Sequence, residues 1–112
     1  MKHSILALVA VMAMSVINPV NAKYFSAKKL LSECETESLI NRALCNGYLA
    51  GANDAHELHT ELDEGAICIP AGASIERLRT IFVKFANDNP EDSHLDAASV
   101  VITAFSEAFP CE

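Results

Sequence analysis

Four cysteines carry the clearest chemistry in this chain of 112 residues. They are Cys34, Cys45, Cys68 and Cys111. No two of them have the two-residue spacing of a zinc knuckle or of a thioredoxin-like redox site. An even number of cysteines in a short chain that enters an oxidising compartment indicates a disulfide framework instead. We therefore predict two disulfides that use all four cysteines, and no metal site.

Other reactive side chains are sparse. His56 and His59 share one predicted helix end, near Glu57 and Asp63, but a third clear metal ligand is missing. Most serines stand at predicted helix starts, where capping explains them. The sequence offers no nucleophile with a matching base and no glycine-rich phosphate loop after a strand. We predict no catalytic residue, no cofactor and a protein that is not an enzyme.

Residues 1–22 have the order of segments that is typical of a secretory signal peptide. Met1-Lys2-His3 gives a positively charged start, residues 5–17 are almost entirely apolar, and Val20-Asn21-Ala22 supplies a peptidase site. The apolar run is shorter than the roughly 20 residues that a membrane anchor needs, which disfavours a retained anchor. We predict cleavage after residue 22, so that residues 23–112 form a single exported domain.

The charge balance is strongly acidic. The chain has eight basic and fifteen acidic residues. Loss of Lys2 with the signal peptide leaves seven minus fifteen, a net charge of −8. Nucleic acids and anionic membrane surfaces both require a basic face, so neither is expected as a partner. An acidic surface favours a basic protein partner through electrostatic steering.

Hydrophobic periodicity and capping residues predict four helices. The first follows Ser26 and runs to about Cys34, and the second begins near Ser38. The third follows Ser74 and stops at residues 87–90, because proline cannot continue a helix; the fourth opens at Ser93. The apolar stripe of the second helix consists of Ile40, Leu44, Tyr48, Ala52, Ala55 and Leu58. The predicted fold class is all-α, a small disulfide-stapled bundle of about four helices.

A row of small residues follows every fourth position of the second predicted helix. It consists of Ala43, Gly47, Gly51 and Ala55. A glycine inside a helix costs about 1 kcal/mol relative to alanine. Close approach of another helix of the same chain along this row is the expected compensation.

The order of the helices favours one disulfide pairing. Cys34 and Cys45 lie on either side of the short connection between the first two helices. Cys68 precedes the third helix, and an antiparallel fourth helix brings Cys111 back towards it. Pairing Cys34 with Cys45 and Cys68 with Cys111 needs no crossing of the bundle, although the sequence alone leaves all three connectivities open.

Four segments, taken in order, resemble the Rap/Tai family of type VI secretion immunity proteins. They are Leu30-Leu31-Ser32-Glu33-Cys34, Cys45-Asn46-Gly47-Tyr48-Leu49-Ala50-Gly51, Cys68-Ile69-Pro70, and the end of the chain from Ala97-Ala98 to Ala108-Phe109-Pro110-Cys111. The resemblance covers nearly the whole chain after residue 22. Each segment alone is a weak signal, and the combination in this order is fairly specific.

The resemblance implies a helical, disulfide-containing periplasmic domain that is often a homodimer, which we expect to form through a face other than the small-residue row of the second helix. It also implies a function, which is to bind and block a peptidoglycan amidase that neighbouring cells deliver by type VI secretion. The expected partner is therefore a secreted amidase toxin. The matching positions are mostly structural, so the resemblance assigns no inhibitory residue.

Two acidic loops are the candidate contacts with such a toxin, since binding residues are commonly presented on loops of a rigid scaffold. The loops span residues 59–66 and 87–93 and hold six of the fifteen acidic residues. The six are Glu61, Asp63 and Glu64 in the first loop and Asp88, Glu91 and Asp92 in the second. Such a concentration of carboxylates suits a basic rim on the partner. We favour the first loop, because it is longer and less constrained by adjoining helix caps.

A second class of function fits the same features. A small periplasmic acid-stress chaperone of the HdeA type is also helical and disulfide-bonded, and acts by loosening at low pH to expose apolar surface. An immunity gene is expected beside the gene of a secreted hydrolase, which distinguishes the two classes.

Overall fold

The chain is built from α-helices. The computed structural model describes residues 23–60 and 67–112. Its helices are α1 (Ala27–Glu35), α2 (Leu39–Thr60), α3 (Ile75–Asp88) and α4 (Ala97–Ala108), with a 3-10 turn at Pro90–Asp92. These residues form no strand, and their extended pairing is limited to an isolated antiparallel bridge between Ser26 and Asp96. The architecture confirms the predicted all-α bundle of about four helices.

Two sequence predictions fall on residues outside this description. One is the signal peptide at residues 1–22. The other is the role of Glu61, Asp63 and Glu64 in the first acidic loop.

Serine caps begin α1 and α3 at the predicted places. The Ser26 hydroxyl accepts a hydrogen bond from the backbone N–H of Lys29, and the Ser74 hydroxyl accepts one from Arg77. Each cap satisfies one of the N–H groups that a helix start leaves without an intrahelical partner.

The fourth helix starts later than its sequence pattern predicts. The pattern indicates a cap at Ser93, but Asp96 is the cap, its carboxylate accepts from the Ser99 N–H, and α4 begins at Ala97. The reason is a tertiary contact. The Ser93 carbonyl accepts a hydrogen bond from the Lys28 N–H of α1 at 2.9 Å, which holds residue 93 outside the helix.

The hydrophobic core lies where the four helices meet, and every pair of helices is in contact. The large, fully buried apolar side chains are Leu30 from α1, Leu49 from α2, Phe82 from α3, and Val101 and Phe105 from α4. Because each helix contributes to one shared core, no helix pair can separate without exposing apolar surface.

The second helix buries only part of the predicted stripe, because Tyr48 and Ala52 are partly buried against the core whereas the other members are exposed. Its fully buried residues are Cys45 and Leu49, and Tyr48 is partly buried beside them. Ile40 and Leu58 belong to the stripe that was predicted to be buried, yet they are 81% and 70% exposed. The physical reason is that α2 has apolar residues on two sides, and the disulfide at Cys45 draws one of these sides onto α1.

The small-residue row of α2 also faces outwards. Ala43, Gly47, Gly51 and Ala55 are all exposed. A Cβ atom added to Gly47 or Gly51 would have no neighbour within 4 Å beyond its own helix backbone. The predicted packing of another helix of the chain along this row is therefore wrong for the described residues.

One disulfide links the first two helices, and the other links the segments that flank the last two. Cys34–Cys45 joins the end of α1 to the first turns of α2, and Cys68–Cys111 joins the segment before α3 to the end of the chain. The structure therefore has the pairing that the order of the helices favours in the sequence. Their surroundings differ, because Cys34 and Cys45 are fully buried whereas Cys68 and Cys111 are exposed.

We expect the exposed disulfide to be reduced before the buried one. Thiol–disulfide exchange requires a thiolate to reach a sulfur atom, and only the Cys68–Cys111 bridge is open to solvent. Alkylation and mass spectrometry should label no cysteine in the untreated protein. After brief treatment with a mild thiol reductant, the label should appear on Cys68 and Cys111 first. Equal labelling of all four cysteines from the start would contradict this order.

Replacing either helix glycine by alanine should stabilise the chain. Gly47 and Gly51 are exposed positions inside α2 with room for a Cβ atom. Gly47→Ala and Gly51→Ala should therefore each raise the free energy of unfolding by about 1 kcal/mol. Urea unfolding followed by circular dichroism, at protein concentrations low enough for the chain to be monomeric, measures the change. A loss of stability would mean that the row is in contact with the rest of the chain.

Candidate partner-binding surface

The second acidic loop is a short turn between α3 and α4, and we call Asp88 to Asp92 the acidic turn. Asp88 is the last residue of α3, and Glu91 and Asp92 lie in the 3-10 segment. Asp88 and Glu91 are exposed, while Asp92 is half-buried. The structure thus brings three of the six predicted contact residues together on one turn.

Backbone hydrogen bonds make the acidic turn rigid. The N–H and the side-chain amide of Asn89 both donate to the Phe85 carbonyl, at 3.0 and 2.8 Å. The Asp92 N–H donates to the Asn89 carbonyl at 3.1 Å, and the Leu95 N–H donates to the Asp92 carbonyl at 3.0 Å. Pro90 restricts the backbone further. A partner that binds this turn has little conformational entropy to remove from it.

The segment after the turn is anchored on α1. The Ala27 N–H donates to the Leu95 carbonyl and the Lys28 N–H donates to the Ser93 carbonyl, both at 2.9 Å. Lys23 adds a hydrogen bond from its ammonium group to the His94 carbonyl at 2.9 Å. The start of the described chain is thus tied to the base of the acidic turn.

A cleft of about 260 Å³ opens beside the acidic turn. Its apolar wall comes from three helices, through Ala27 and Leu31 of α1, Ala86 of α3 and Val100 of α4. Its rim is mostly polar and is formed by Lys28, Asn87, Asn89, Pro90, Asp92 and Ser93. Ligand pockets for small molecules are usually about 300–1,000 Å³. The cleft lies just below this range and has room for an apolar side chain of a protein partner.

The three carboxylates of the turn are not equivalent. Lys84 Nζ lies 2.5 Å from Asp88 Oδ2, and both side chains are exposed. Such a surface ion pair contributes little to stability, but it offsets the negative charge of Asp88. Attraction of a basic partner therefore depends mainly on Glu91 and Asp92.

Glu76 links α3 to α2 away from this surface. Its carboxylate accepts from Arg79 Nε at 3.1 Å, from Asn46 Nδ2 at 3.3 Å and from Arg42 Nη2 at 3.4 Å. The Arg79 hydrogen bond is the largest cause that lowers the pKa of this carboxyl. Arg79 also donates to the Cys34 carbonyl at 3.3 Å. The cluster is a structural connection between α2, α3 and the first disulfide.

The chemistry that this surface offers is that of a binding site. It combines exposed carboxylates, backbone groups that are already paired, and an apolar cleft. Within residues 23–60 and 67–112, no group of three histidine, cysteine or carboxylate side chains is placed to hold a metal ion. In the same residues, no helix is both long and apolar enough to cross a bilayer.

Sequence reasoning found the turn but missed the cleft beside it. Leu31, Ala86 and Val100 belong to three helices that are separate in sequence, and each fits an ordinary buried or half-buried helix position. Only the three-dimensional packing places their edges beside the acidic turn. No pattern in the sequence therefore identifies the residues that form this cleft.

Asp96 positions α4, which forms one wall of the cleft. Its Oδ2 atom accepts from the Ser99 hydroxyl at 2.6 Å and from the Ser99 N–H at 3.0 Å. These two hydrogen bonds lower the pKa of the Asp96 carboxyl. Burial, and then the charge of Asp96, raise the pKa of the neighbouring Tyr48, whose ring meets Phe25 edge-on at 5.3 Å.

The contribution of the Asp96 cap should depend on pH. Because the pKa of Asp96 is lower in the folded chain than its ordinary 3.8, its stabilisation is present above that value and is lost as the pH falls through the folded pKa. Asp96→Ala should lower the free energy of unfolding by about 1 kcal/mol at neutral pH, and by less in acid. Asp96→Asn keeps a cap without a titrating group, so its stability relative to Asp96→Ala should not change with pH. Urea unfolding across the acid range measures both differences. An equal loss for Asp96→Ala at neutral and acidic pH would contradict the role of the ionised cap.

Comparison with known protein families gives a match that spans this whole architecture. Residues 26–111 match the family described as Rap1a immunity proteins. The match begins at the cap of α1, includes the acidic turn and the cleft, and ends at the second disulfide. Comparisons with curated proteins and with solved structures give no match. The family agrees with the resemblance of the cysteine-containing segments, and the chain belongs to the Rap1a immunity protein family.

Proposed function

We propose that this protein neutralises a peptidoglycan amidase that neighbouring cells deliver into the periplasm by type VI secretion. The observation that carries the proposal is the match of residues 26–111 to the Rap1a immunity proteins. An immunity protein of this kind acts by binding, and we propose that this chain is not an enzyme.

The proposed place of action is the periplasm. The sequence of residues 1–22 supports export through a cleavable signal peptide. The two disulfides support the same location, because they form and persist in oxidising compartments such as the bacterial periplasm. A cell that is attacked from outside needs its immunity protein where the toxin meets peptidoglycan.

We propose that the acidic turn and its cleft contact the toxin. The turn is rigid and exposed, and the cleft offers space for an apolar side chain directly beside it. Rim charges mainly set the rate of association, while a buried contact at the centre of an interface mainly sets the rate of dissociation. Glu91 and Asp92 fit the first role and the cleft fits the second. Glu61, Asp63 and Glu64 are proposed as additional contacts of the same electrostatic kind.

We also propose that the protein acts as a homodimer, as the resemblance to the Rap/Tai family implies.

Neutralising the acidic turn should slow toxin binding. The triple variant Asp88→Asn, Glu91→Gln and Asp92→Asn should reduce the association rate by about tenfold at low salt and flatten its salt dependence. The measurement is surface plasmon resonance, at several ionic strengths, against the amidase captured from cells of the same genome. Amidase inhibition is measured in parallel.

A matched control separates the acidic turn from net charge. Asp54, Glu57 and Glu112 are exposed carboxylates outside the acidic turn and its cleft, and their replacement by asparagine or glutamine removes the same charge. The control should bind almost as fast as the unmodified protein. The same test on Glu61, Asp63 and Glu64 measures the first loop. If the turn variant and the control behave alike, the acidic turn is not a docking element. If no amidase of the same genome is captured or inhibited, the proposed function itself is wrong.

A further inference from the structure

The cleft beside the acidic turn is open because two of its four apolar wall residues are alanines. Ala27 and Ala86 line it together with Leu31 and Val100. Leu31 is half-buried, and the other three are buried among the core residues. An alanine has a single methyl group, so the space that a larger side chain would fill between α1, α3 and α4 stays open. A guest in the cleft therefore gains apolar contact with three helices at once.

The rim of the cleft carries a carboxylate that the described chain leaves without a partner. Asp92 lines the cleft and is half-buried. Within residues 23–60 and 67–112, its side chain makes neither an ion pair nor a hydrogen bond. The carboxylates of Glu33 and Asp88, by contrast, each face a lysine. A half-buried carboxylate gains most from a partner that carries a positive charge and donates hydrogen bonds.

The other charged groups around the cleft also favour a cation. Glu91 is exposed beside Asp92, and Glu35 accepts a hydrogen bond from the side-chain amide of Asn87 on the rim at 3.5 Å. Among the described residues that line the cleft, Lys28 is the only cation, and it is exposed, so its ammonium group can turn into water. Three carboxylates against one ammonium group make the potential at the mouth of the cleft negative.

We infer that the cleft holds the side chain of an arginine of the toxin. The methylene stem of this arginine lies along the apolar wall, as long basic side chains commonly do on apolar surface, and its guanidinium group pairs with Asp92. The inference rests on the proposed function and specifies its central contact. The apolar part of that contact comes from the stem of a basic side chain, and the charged part comes from its head.

Arginine fits this rim better than lysine does. The side-chain nitrogen of Asn89 donates to the Phe85 carbonyl, which leaves its Oδ1 atom as a further acceptor on a residue that lines the cleft. A guanidinium group has five donors in a rigid fork and pairs with a carboxylate through two parallel hydrogen bonds, whereas an ammonium group is a more strongly hydrated point charge. The fork has enough donors for both Asp92 and Asn89, and it loses less hydration when it binds.

The first experiment needs no toxin. The exported, signal-processed protein is isotope-labelled and titrated with the peptide acetyl-Gly-Arg-Gly-amide, and binding is followed by amide NMR. The resonances of Ala27, Leu31, Ala86 and Val100 should shift most. The same peptide with citrulline in place of arginine is the matched control, because an uncharged urea group of nearly the same shape replaces the guanidinium group. It should bind at least about tenfold more weakly.

Three results of this titration would overturn the inference. They are equal binding of the two peptides, shifts centred on another surface, and no binding of the arginine peptide up to about 10 mM.

Two charge variants test the sign of the guest in the same titration. Asp92→Asn should weaken binding of the arginine peptide at least about tenfold, because it removes the carboxylate that pairs with the guanidinium group. Asp54→Asn removes the same charge from α2, which does not line the cleft, and should change the affinity by less than about twofold. Lys28→Gln should strengthen binding by about threefold, because it removes the competing cation from the rim. Weaker binding by Lys28→Gln would indicate an anionic guest and would contradict the proposal.

The second experiment tests the toxin as the source of the arginine. Leu31→Trp fills the cleft from its half-buried edge, and it should weaken binding to the amidase captured from cells of the same genome at least about tenfold, measured by surface plasmon resonance. Ser106→Trp adds the same ring at an exposed position of α4 outside the cleft and should bind like the unmodified protein. Circular dichroism shows that each variant is folded. A photo-crosslinking amino acid at Leu31 should react with an amidase peptide that contains an arginine.

The results separate this inference from the proposed function. If Leu31→Trp loses the arginine peptide but binds the amidase as tightly as Ser106→Trp does, the cleft is not occupied by the toxin and the proposed function stands. A crosslinked amidase peptide without arginine leads to the same conclusion. If the unmodified protein captures no amidase, the proposed function fails, and the inference fails with it.

Discussion

The domain depends on two disulfides because it is too short to hold itself together by its core alone. About ninety residues bury a limited apolar area, and domains of this size have little stability to spare. In the chain-entropy view, a bridge across 11 residues contributes roughly 3 kcal/mol and one across 43 residues roughly 4 kcal/mol. Those amounts are comparable to the whole stability of a small domain. Each bridge also fixes geometry, since Cys34–Cys45 sets which side of α2 is buried, and Cys68–Cys111 returns the end of α4 to the start of α3.

Once these constraints hold the helices in place, the connection between α3 and α4 can be short and rigid. Asn89 ends α3 through two hydrogen bonds to Phe85, and the segment after the 3-10 turn is paired with the start of α1. The acidic turn and its cleft therefore lie on a scaffold that is fixed by hydrogen bonds at both ends of the turn. The acidic turn presents its carboxylates in one arrangement. Binding to a preorganised surface loses less entropy than binding to a loop that must first be ordered.

The sequence predicts the fold well because the signals that fix it are local. Ser26 and Ser74 cap helices, Pro90 stops one, and the directions of the four helices favour the disulfide pairing that the structure has. The failures arise where a tertiary contact decides. Ser93 is as good a cap as Asp96 until its carbonyl is bound to Lys28 of α1. Hydrophobic periodicity identified α2 as a helix but not its buried side, because Ile40 and Leu49 lie on opposite sides and both look apolar. The cleft could not be predicted, since its walls come together only after three helices have packed.

The two sides of α2 explain why one helix carries more apolar residues than a single chain can bury. A helix that is apolar on one stripe packs on a core, and one that is apolar on more of its circumference is normally covered on both sides. In this chain α1, α3 and α4 cover one side, at Cys45 and Leu49, and leave Ile40 and Leu58 in water. If a second copy covers that side, the interaction is apolar and depends little on salt. Contacts made by the carboxylates of the acidic turn are screened over a Debye length of about 8 Å at physiological ionic strength. A contact between two copies on this side and a toxin contact at the acidic turn would therefore differ in their physics, the first depending on apolar area and the second on charge and salt.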